Sequence, residues 1–197
     1  MNILLVLAHP DVKSFNHALA QTVREALRAL GHDVAYHDLY AEGFDPVLPA
    51  GEIPRTGPLT PEVAHYCLEL QSAEGLVLVH PNWWGKPPAI LAGWVDRVFR
   101  VDVAYRFLES DAGAGVPLGL LKCRRALVLN TSNTAATREA AVFGDPLGRI
   151  WCDCILKFCG IDQVRRRMFE TVVTSTSEQR QAWLEEAKGL AGECFPA

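Results

Sequence analysis

No stretch of the chain approaches the roughly 20 uninterrupted apolar residues that a membrane-crossing helix needs, so no membrane insertion is expected. The opening MNILLVLAHP has no basic stretch before its apolar run, and that run is too short for a secretory signal. The cytoplasm is therefore the expected location. An excess of positive charge is also missing. Nineteen Lys and Arg stand against 23 Asp and Glu, a formal net charge of -4, and that balance gives no reason to expect nucleic acid as a partner. The short clusters Arg124-Arg125 and Arg165-Arg166-Arg167 lack interleaved aromatic residues and read as solvated faces or element ends. The C-x-x-C knuckle is absent as well. The six cysteines (Cys67, Cys123, Cys152, Cys154, Cys159 and Cys194) read as free thiols of a reducing compartment. Cys152-x-Cys154 with Cys159 has no histidine near it, so these three read as buried small apolar residues on a helix, and no metal site is expected. Neither G-x-G-x-x-G nor G-x-x-x-x-G-K-[ST] occurs, which leaves a dinucleotide-binding Rossmann unit and a nucleotide-hydrolysing P-loop unsupported.

What is present is an alternation of apolar runs and helical patterns. With 197 residues, 49% apolar and 21% charged, the whole chain (1–197) reads as one domain with a substantial core. Ile3-Leu4-Leu5-Val6-Leu7-Ala8 is the continuous run of a central parallel strand. Leu19, Val23, Leu27 and Leu30 then recur at helical spacing until Gly31. Further strands are expected at 33–37, 75–80, 125–130 and 164–173. Helices are expected at 61–73, with Thr60 as N-cap, and at 88–99, 145–158 and 177–192. Two long connections, 42–61 and 102–122, interrupt the pattern. Five strand–helix units predict a doubly wound five-stranded parallel sheet with helices on both faces. Ligands of such sheets bind beyond the carboxyl ends of the strands, where the strand order reverses. His32 and His37 read as solvent-facing flanks of the second strand, and Asp96-Arg97 as an exposed or interface ion pair.

Three strand exits carry unusual residues. After the first strand, His9-Pro10-Asp11-Val12-Lys13-Ser14-Phe15-Asn16 offers a helix start suited to an anion. Ser14 can cap the helix and donate its hydroxyl, Asn16 can donate its amide, and His9 can give an N–H or a positive charge. The plain alternative is that Ser14 is only an N-cap. After the third strand comes Pro81-Asn82-Trp83-Trp84-Gly85-Lys86-Pro87-Pro88. Two adjacent indoles cannot both enter one core from an extended loop, and they suit a flat aromatic ligand. The alternative is that they seal a loop or a subunit contact. After the fourth strand the chain reads Asn130-Thr131-Ser132-Asn133.

The block His9-Pro10 with Ser14-Phe15-Asn16, and the long run from Pro81 through Trp83-Trp84-Gly85 to Phe99, resembles the NAD(P)H:quinone oxidoreductase family of flavodoxin-like proteins. Asp38-Leu39-Tyr40, Phe44-Asp45-Pro46 and Leu156-x-Phe158-Cys159-Gly160 extend the likeness to most of the chain. The resemblance implies strand order 2-1-3-4-5 and a cytoplasmic flavoprotein homodimer that passes two electrons from NAD(P)H, as co-substrate, to a quinone or similar flat acceptor by a ping-pong route. His9, Ser14, Phe15 and Asn16 would hold the phosphate and ribityl part of the flavin; Pro81, Asn82, Trp83, Trp84 and Gly85 would flank its ring system. FMN is favoured because the 42–61 segment is shorter than in FAD-binding relatives, and FAD stays open. The family usually has Thr-Thr-Gly-Gly where this chain has Asn130-Thr131-Ser132-Asn133, so Thr131, Ser132 and Asn133 take the cofactor position. The backbone N–H groups of Ser132 and Asn133 would stabilise negative charge on the reduced ring, with Arg138 as a nearby cation. The Tyr and His that assist hydride transfer in some members are replaced by Arg138-Glu139 and Phe143. The resemblance also implies an alternative role, because some members are ancillary subunits that contact a membrane potassium-efflux system peripherally.

Overall fold

In the computed structural model, which describes residues 1–108 and 115–197, the elements run β1 (Asn2–Leu7), α1 (Phe15–Ala29), β2 (Asp33–Asp38), α2 (Pro61–Ser72), β3 (Gly75–Pro81), α3 (Ala89–Val98), β4 (Tyr105–Phe107), β5 (Pro117–Gly119) and β6 (Arg125–Ser132). There follow α4 (Ala136–Arg138), extended by a π-helical turn over Glu139–Phe143, and α5 (Pro146–Gly148) and α6 (Leu156–Phe158), joined by a π-helical stretch over Arg149–Ile155. β7 (Gln163–Glu170) and α7 (Ser177–Cys194) complete the chain.

Alternation within the apolar runs decides which side of the sheet each residue serves. Along β1, Leu4 and Val6 join one buried cluster, while Ile3, Leu5 and Leu7 join the other. β3 divides in the same way, with Leu76 and Leu78 on one side and Val77 and Val79 on the other. This is the period of two that a pleated strand imposes. A strand covered on both faces needs apolar residues at every position, which is why the central runs are continuous. α1 and α7 cover one face, α1 through Leu19, Ala20, Val23 and Leu27 and α7 through Trp183, Ala187 and Ala191. α2, α3 and the 146–158 segment cover the other with Leu70, Trp94, Trp151 and Leu156. Each fully buried large apolar side chain contributes about 1.5–3 kcal/mol, so these two clusters dominate the stability of the fold.

The main sheet has order β2-β1-β3-β6-β7, with all pairings parallel. Five parallel strands with helices on both faces are found as expected, but the numerical order is not 2-1-3-4-5. The 102–122 connection, of which residues 109–114 lie outside the described residues, contains two strands of its own. β4 and β5 pair antiparallel with each other, Tyr105 opposite Gly119, apart from the main sheet. Three-residue strands are too short to show a period in sequence. The last sheet strand also stops at Glu170, and Val172–Thr174 form a single tight turn instead of extending it to 173.

Four side-chain expectations are corrected. His32 is buried, with Nε2 bonded to the Phe195 carbonyl at 2.9 Å. His37 is held between Glu42 at 3.0 Å and Glu69 at 2.6 Å. Arg97 does not pair with Asp96 but lies buried in a two-point contact with Glu52, at 3.0 and 2.6 Å. It also donates to the Asp45 carbonyl at 2.6 Å, which ties the first long connection to α3. Of the cysteine trio only Cys159 is buried; Cys152 is half-buried and Cys154 exposed. Among the described residues no helix is long and apolar enough to cross a membrane.

Candidate functional site

Beyond the carboxyl ends of β1, β3 and β6 lies a cleft of about 990 Å³. Its position follows from topology. The chain passes from β1 to β2 on one side and returns to β3 on the other, so the loops leaving β1 and β3 part and open a crevice. His9, Ser14, Phe15, Asn16, Pro81, Asn82, Trp83, Trp84, Gly85, Thr131, Ser132 and Asn133 all line this one cleft. Arg138 does not line it; it is exposed, with its guanidinium 5.7 Å from the centre of the Phe143 ring.

At the β1 end the walls are polar and prepared for an anion. Ser14 caps α1, its Oγ accepting from the His17 N–H at 3.4 Å. The first-turn N–H groups of a helix have no intrahelical acceptor, and they face the cleft mouth with the positive end of the helix dipole. Asn16 is 3% exposed and donates Nδ2 to Thr131 Oγ1 at 2.9 Å. Its Oδ1 is buried and has no partner among the described residues. An unmet buried acceptor costs about 1–3 kcal/mol, and a hydroxyl-bearing ligand in the cleft would remove that cost. Burial lowers the His9 pKa, so His9 serves as a neutral ring rather than a cation. Its Nδ1 faces the Asp11 backbone, 3.1 Å from the N–H and 3.3 Å from the carbonyl, which fixes the ring against this loop.

At the β3 end a four-residue turn is built around the tryptophans. Trp83 and Lys86 exchange backbone hydrogen bonds at 3.1 and 3.2 Å, and the two central residues, Trp84 and Gly85, both have positive φ, 59° and 71°. Gly85 is required there. A Cβ would sit 3.1 Å from Pro146 Cγ, in a conformation that residues with side chains rarely adopt. Asn82 clamps the turn. Its Oδ1 accepts from the Gly85 N–H at 3.0 Å, and its Nδ2 donates to Glu139 Oε1 at 2.9 Å. Trp84 is 97% exposed and Trp83 38%, with the Trp83 ring 5.9 Å from His9.

At the β6 end, Thr131 and Ser132 are buried and Asn133 is exposed. The Ser132 hydroxyl accepts from the Thr134 N–H at 3.0 Å, and Asn133 Oδ1 accepts from the Val173 N–H at 3.0 Å. Both side-chain oxygens thus shape the loop, and both residues line the cleft. Sequence reasoning names neither Pro146, Val172, Val173 nor Arg180 for the cleft, yet all line it, as does Glu139, which the resemblance sets with Arg138 at the family's Tyr position. Glu139 is 3% exposed, a buried carboxylate with Asn82 as its partner. Arg180 is fixed through Nε to Ser175 Oγ at 2.7 Å and through Nη2 to the Val172 carbonyl at 3.2 Å. A signal for it existed, because the first turn of a helix that follows a parallel strand sits at the carboxyl edge of the sheet.

Under the floor runs a buried polar network. His80 is wholly buried, which pushes its pKa down to about 4. Nδ1–H donates to the Pro81 carbonyl at 2.8 Å, and Nε2 accepts from Trp151 Nε1 at 2.8 Å and Asn130 Nδ2 at 2.9 Å. Asn130 Oδ1 accepts from Arg166 Nε at 2.9 Å, and Arg166 grips Asp145 through two bonds at 2.7 and 2.8 Å. The carboxyl-end parts of β3 and β6, the middle of β7 and the start of α5 are therefore fastened together. Among the described residues no group of three or more His, Cys, Asp or Glu is placed to hold a metal ion.

The comparisons agree with this architecture. The family described as having a flavodoxin-like fold matches residues 1–190. A Haemophilus influenzae protein named Uncharacterized NAD(P)H oxidoreductase is 30% identical over 192 residues, covering 95% of this chain and 92% of that one. The ribosyldihydronicotinamide dehydrogenase [quinone] of Rattus norvegicus is 30% identical over 228 residues, covering 99% and 96%. Among solved structures, an NAD(P)H:quinone oxidoreductase from Methanothermobacter marburgensis superposes with a TM-score of 0.82 at 25% identity, covering 97% of this chain and 95% of that one.

Proposed function

Because this chain belongs to the flavodoxin-like family of NAD(P)H:quinone oxidoreductases, we infer that it binds FMN in the cleft and passes two electrons from NAD(P)H to a quinone or another flat acceptor. The observation that carries the flavin reading is the buried, unpartnered Asn16 Oδ1 set between an anion-ready helix start and an aromatic turn. A phosphate, a polyhydroxylated chain and a flat ring system, in that order, meet the three parts of the cleft. When bound, the flavin supplies the two-electron chemistry.

The residues of the chain supply position and charge. Ser14 and the first turn of α1 would hold the phosphate, with the His9 ring beside it. Asn16 Oδ1 accepts from a hydroxyl of the ribityl chain. The turn clamped by Asn82 presents Trp83 and Trp84 to the part of the cleft that would take the rings. The backbone N–H groups of Ser132 and Asn133 offset negative charge as the ring is reduced. Arg138, exposed and outside the lining, is given no role. The apolar surface beside the cleft, with Val173 70%, Val142 57% and Phe143 51% exposed, supports a homodimer in which a second copy covers part of it. The shorter 42–61 segment supports FMN over FAD.

The test is the anaerobic visible absorption spectrum of the purified protein loaded with FMN, taken before and after NADPH or NADH. Bleaching in one two-electron step, restored by a quinone, is the expected result, and parallel double-reciprocal lines are expected from one shared site. Intersecting lines would refute the shared site. A protein that takes up neither FMN nor FAD refutes the cofactor reading, and bound flavin that no nicotinamide bleaches points to a binding subunit instead of an enzyme.

A further inference from the structure

The side chain that caps α1 belongs to a longer relay. Ser14 Oγ lies 3.0 Å from His17 Nδ1, and His17 Nε2 lies 2.9 Å from Asp38 Oδ2 at the end of β2. Asp38 is anchored in turn, its Oδ1 accepting from the N–H groups of Tyr40 and Ala41, both at 3.2 Å. The His17 and Asp38 side chains are only 16% and 12% exposed. The other ionisable groups around His17 are His9, whose ring stands edge-on at 6.3 Å, and Asp11 in the same loop, which also acts on His9.

The chemistry of this chain fixes where the Ser14 proton points. Asp38, as a carboxylate, can only accept, so His17 Nε2 carries hydrogen. If His17 is neutral, its Nδ1 is a lone pair and the Ser14 hydroxyl must donate inward to it. The cleft then meets only oxygen lone pairs at this position, which repel an anion. If His17 is protonated, Nδ1–H donates to Ser14 Oγ and the Ser14 hydrogen is released to turn toward the cleft. A second observation places a ligand here, because the adjacent Asn16 Oδ1 is buried and unpartnered while Asn16 lines the same cleft.

We propose that His17 couples occupancy of the cofactor phosphate site to uptake of one proton, so that the Ser14 hydroxyl donates to the phosphate only when His17 is charged between Ser14 and Asp38. This rests on the flavin reading above. His17 is a positioning residue here, acting through Ser14. Binding is expected to tighten as pH falls and weaken as it rises. A phosphate monoester acting alone gives the opposite trend, since its second ionisation near about 6 produces more dianion at higher pH.

The experiment measures binding, not turnover. The affinity of the apoprotein for FMN and for riboflavin, which lacks the phosphate, is followed by flavin fluorescence from about pH 6 to about pH 8.5, the range in which histidine changes charge. Calorimetry in two buffers of different ionisation enthalpy counts the protons taken up. Single-proton linkage has a limiting slope of about tenfold per pH unit, and a weakening of FMN binding by roughly three- to tenfold across the range is expected, with proton uptake and a flat riboflavin profile. His17→Asn, with its fold checked by circular dichroism, is expected to lose the uptake and let FMN binding hold level or tighten with pH. His65→Asn, at an exposed position of α2 outside the cleft lining, is expected to keep the wild-type slope. Flavin binding without proton uptake, or a slope unchanged in His17→Asn, overturns this inference alone. Absence of any flavin binding overturns the cofactor reading and this inference with it.

Discussion

Replacing Trp84 by Asn separates what this indole costs the chain from what it gives the cleft. Trp84 sits at φ 59°, followed by Gly85 at φ 71°, inside a turn closed by Trp83 and Lys86. Two central residues with positive φ define the turn type that Asn-Gly serves best. A bulky residue held in the left-handed region costs about 1–2 kcal/mol, and asparagine tolerates that region far better. The 97% exposed indole buries almost nothing in return. Trp84→Asn is therefore expected to stabilise the flavin-free protein by about 1 kcal/mol, raising Tm by roughly 2–4 °C for a chain of this size. The same change removes an aromatic contact worth about 0.5–1.5 kcal/mol and is expected to weaken FMN binding about two- to twelvefold. Thermal melting by circular dichroism and a fluorescence titration with FMN measure the two effects. A fall in flavin-free stability would refute the reasoning and show that the indole is buried in solution, as it would be beneath a second copy of the chain.

Other consequences follow from side chains away from the cleft. Glu52→Gln leaves the buried Arg97 guanidinium with only the exposed Asp45 carboxylate, 4.0 Å away, as counter-charge and is expected to cost about 3 kcal/mol in a urea melt, whereas an apolar replacement of both partners recovers most of the loss. Burial acts against a charged His37, but its hydrogen bonds to Glu42 and Glu69 outweigh it and hold its pKa above the ordinary 6.5. Its contribution is thus complete below the unfolded value and lost as pH rises through the folded one, so the urea midpoint is expected to fall between about pH 6 and about pH 8.5, less steeply in His37→Gln. Cys154 is exposed, while burial raises the thiol pKa of Cys67 to about 11 and of Cys123 and Cys159 to about 12. A thiol reagent is expected to label Cys154 first in the native protein; rapid labelling of Cys123 or Cys159 would contradict the packing.

The central strands were legible in the sequence because a parallel strand buried on both faces leaves an unbroken apolar run, as at Ile3–Ala8 and Leu76–Val79. The cleft loops were legible for the opposite reason: Ser14, Asn16 and the tryptophan pair stand at strand ends, where a core has no use for them. Pairings made across the fold were not. Glu52 meets Arg97 over 45 positions of chain, and nothing local to Arg97 marks it as buried, so Asp96 looked the nearer partner. His32 and His37 alternate like exposed residues, but each is closed over by a segment remote in sequence, the Phe195 carbonyl for one and Glu69 of α2 for the other. Glu139 was hidden by geometry. It reaches Asn82 from a π-helical turn, whose spacing departs from the 3.6-residue period that a sequence pattern is read against.

The network centred on His80 divides the cleft into parts that can vary separately. Its members lie beneath the exits of β3 and β6 and hold Pro81, Asn130 and Asp145 in fixed relation. A change at any one of them is felt by all the others, so the floor can be altered only as a block. The residues that rise above that floor, Thr134 and Phe143 on one side and Val172 and Val173 on the other, belong to short turns, and among the described residues the turn of Phe143 meets the network through the Asp145 N–H on the Glu139 carbonyl at 3.2 Å. Substitutions in those turns are thus the economical way to reshape the cleft mouth of this chain, because they leave the interlocked floor beneath it intact.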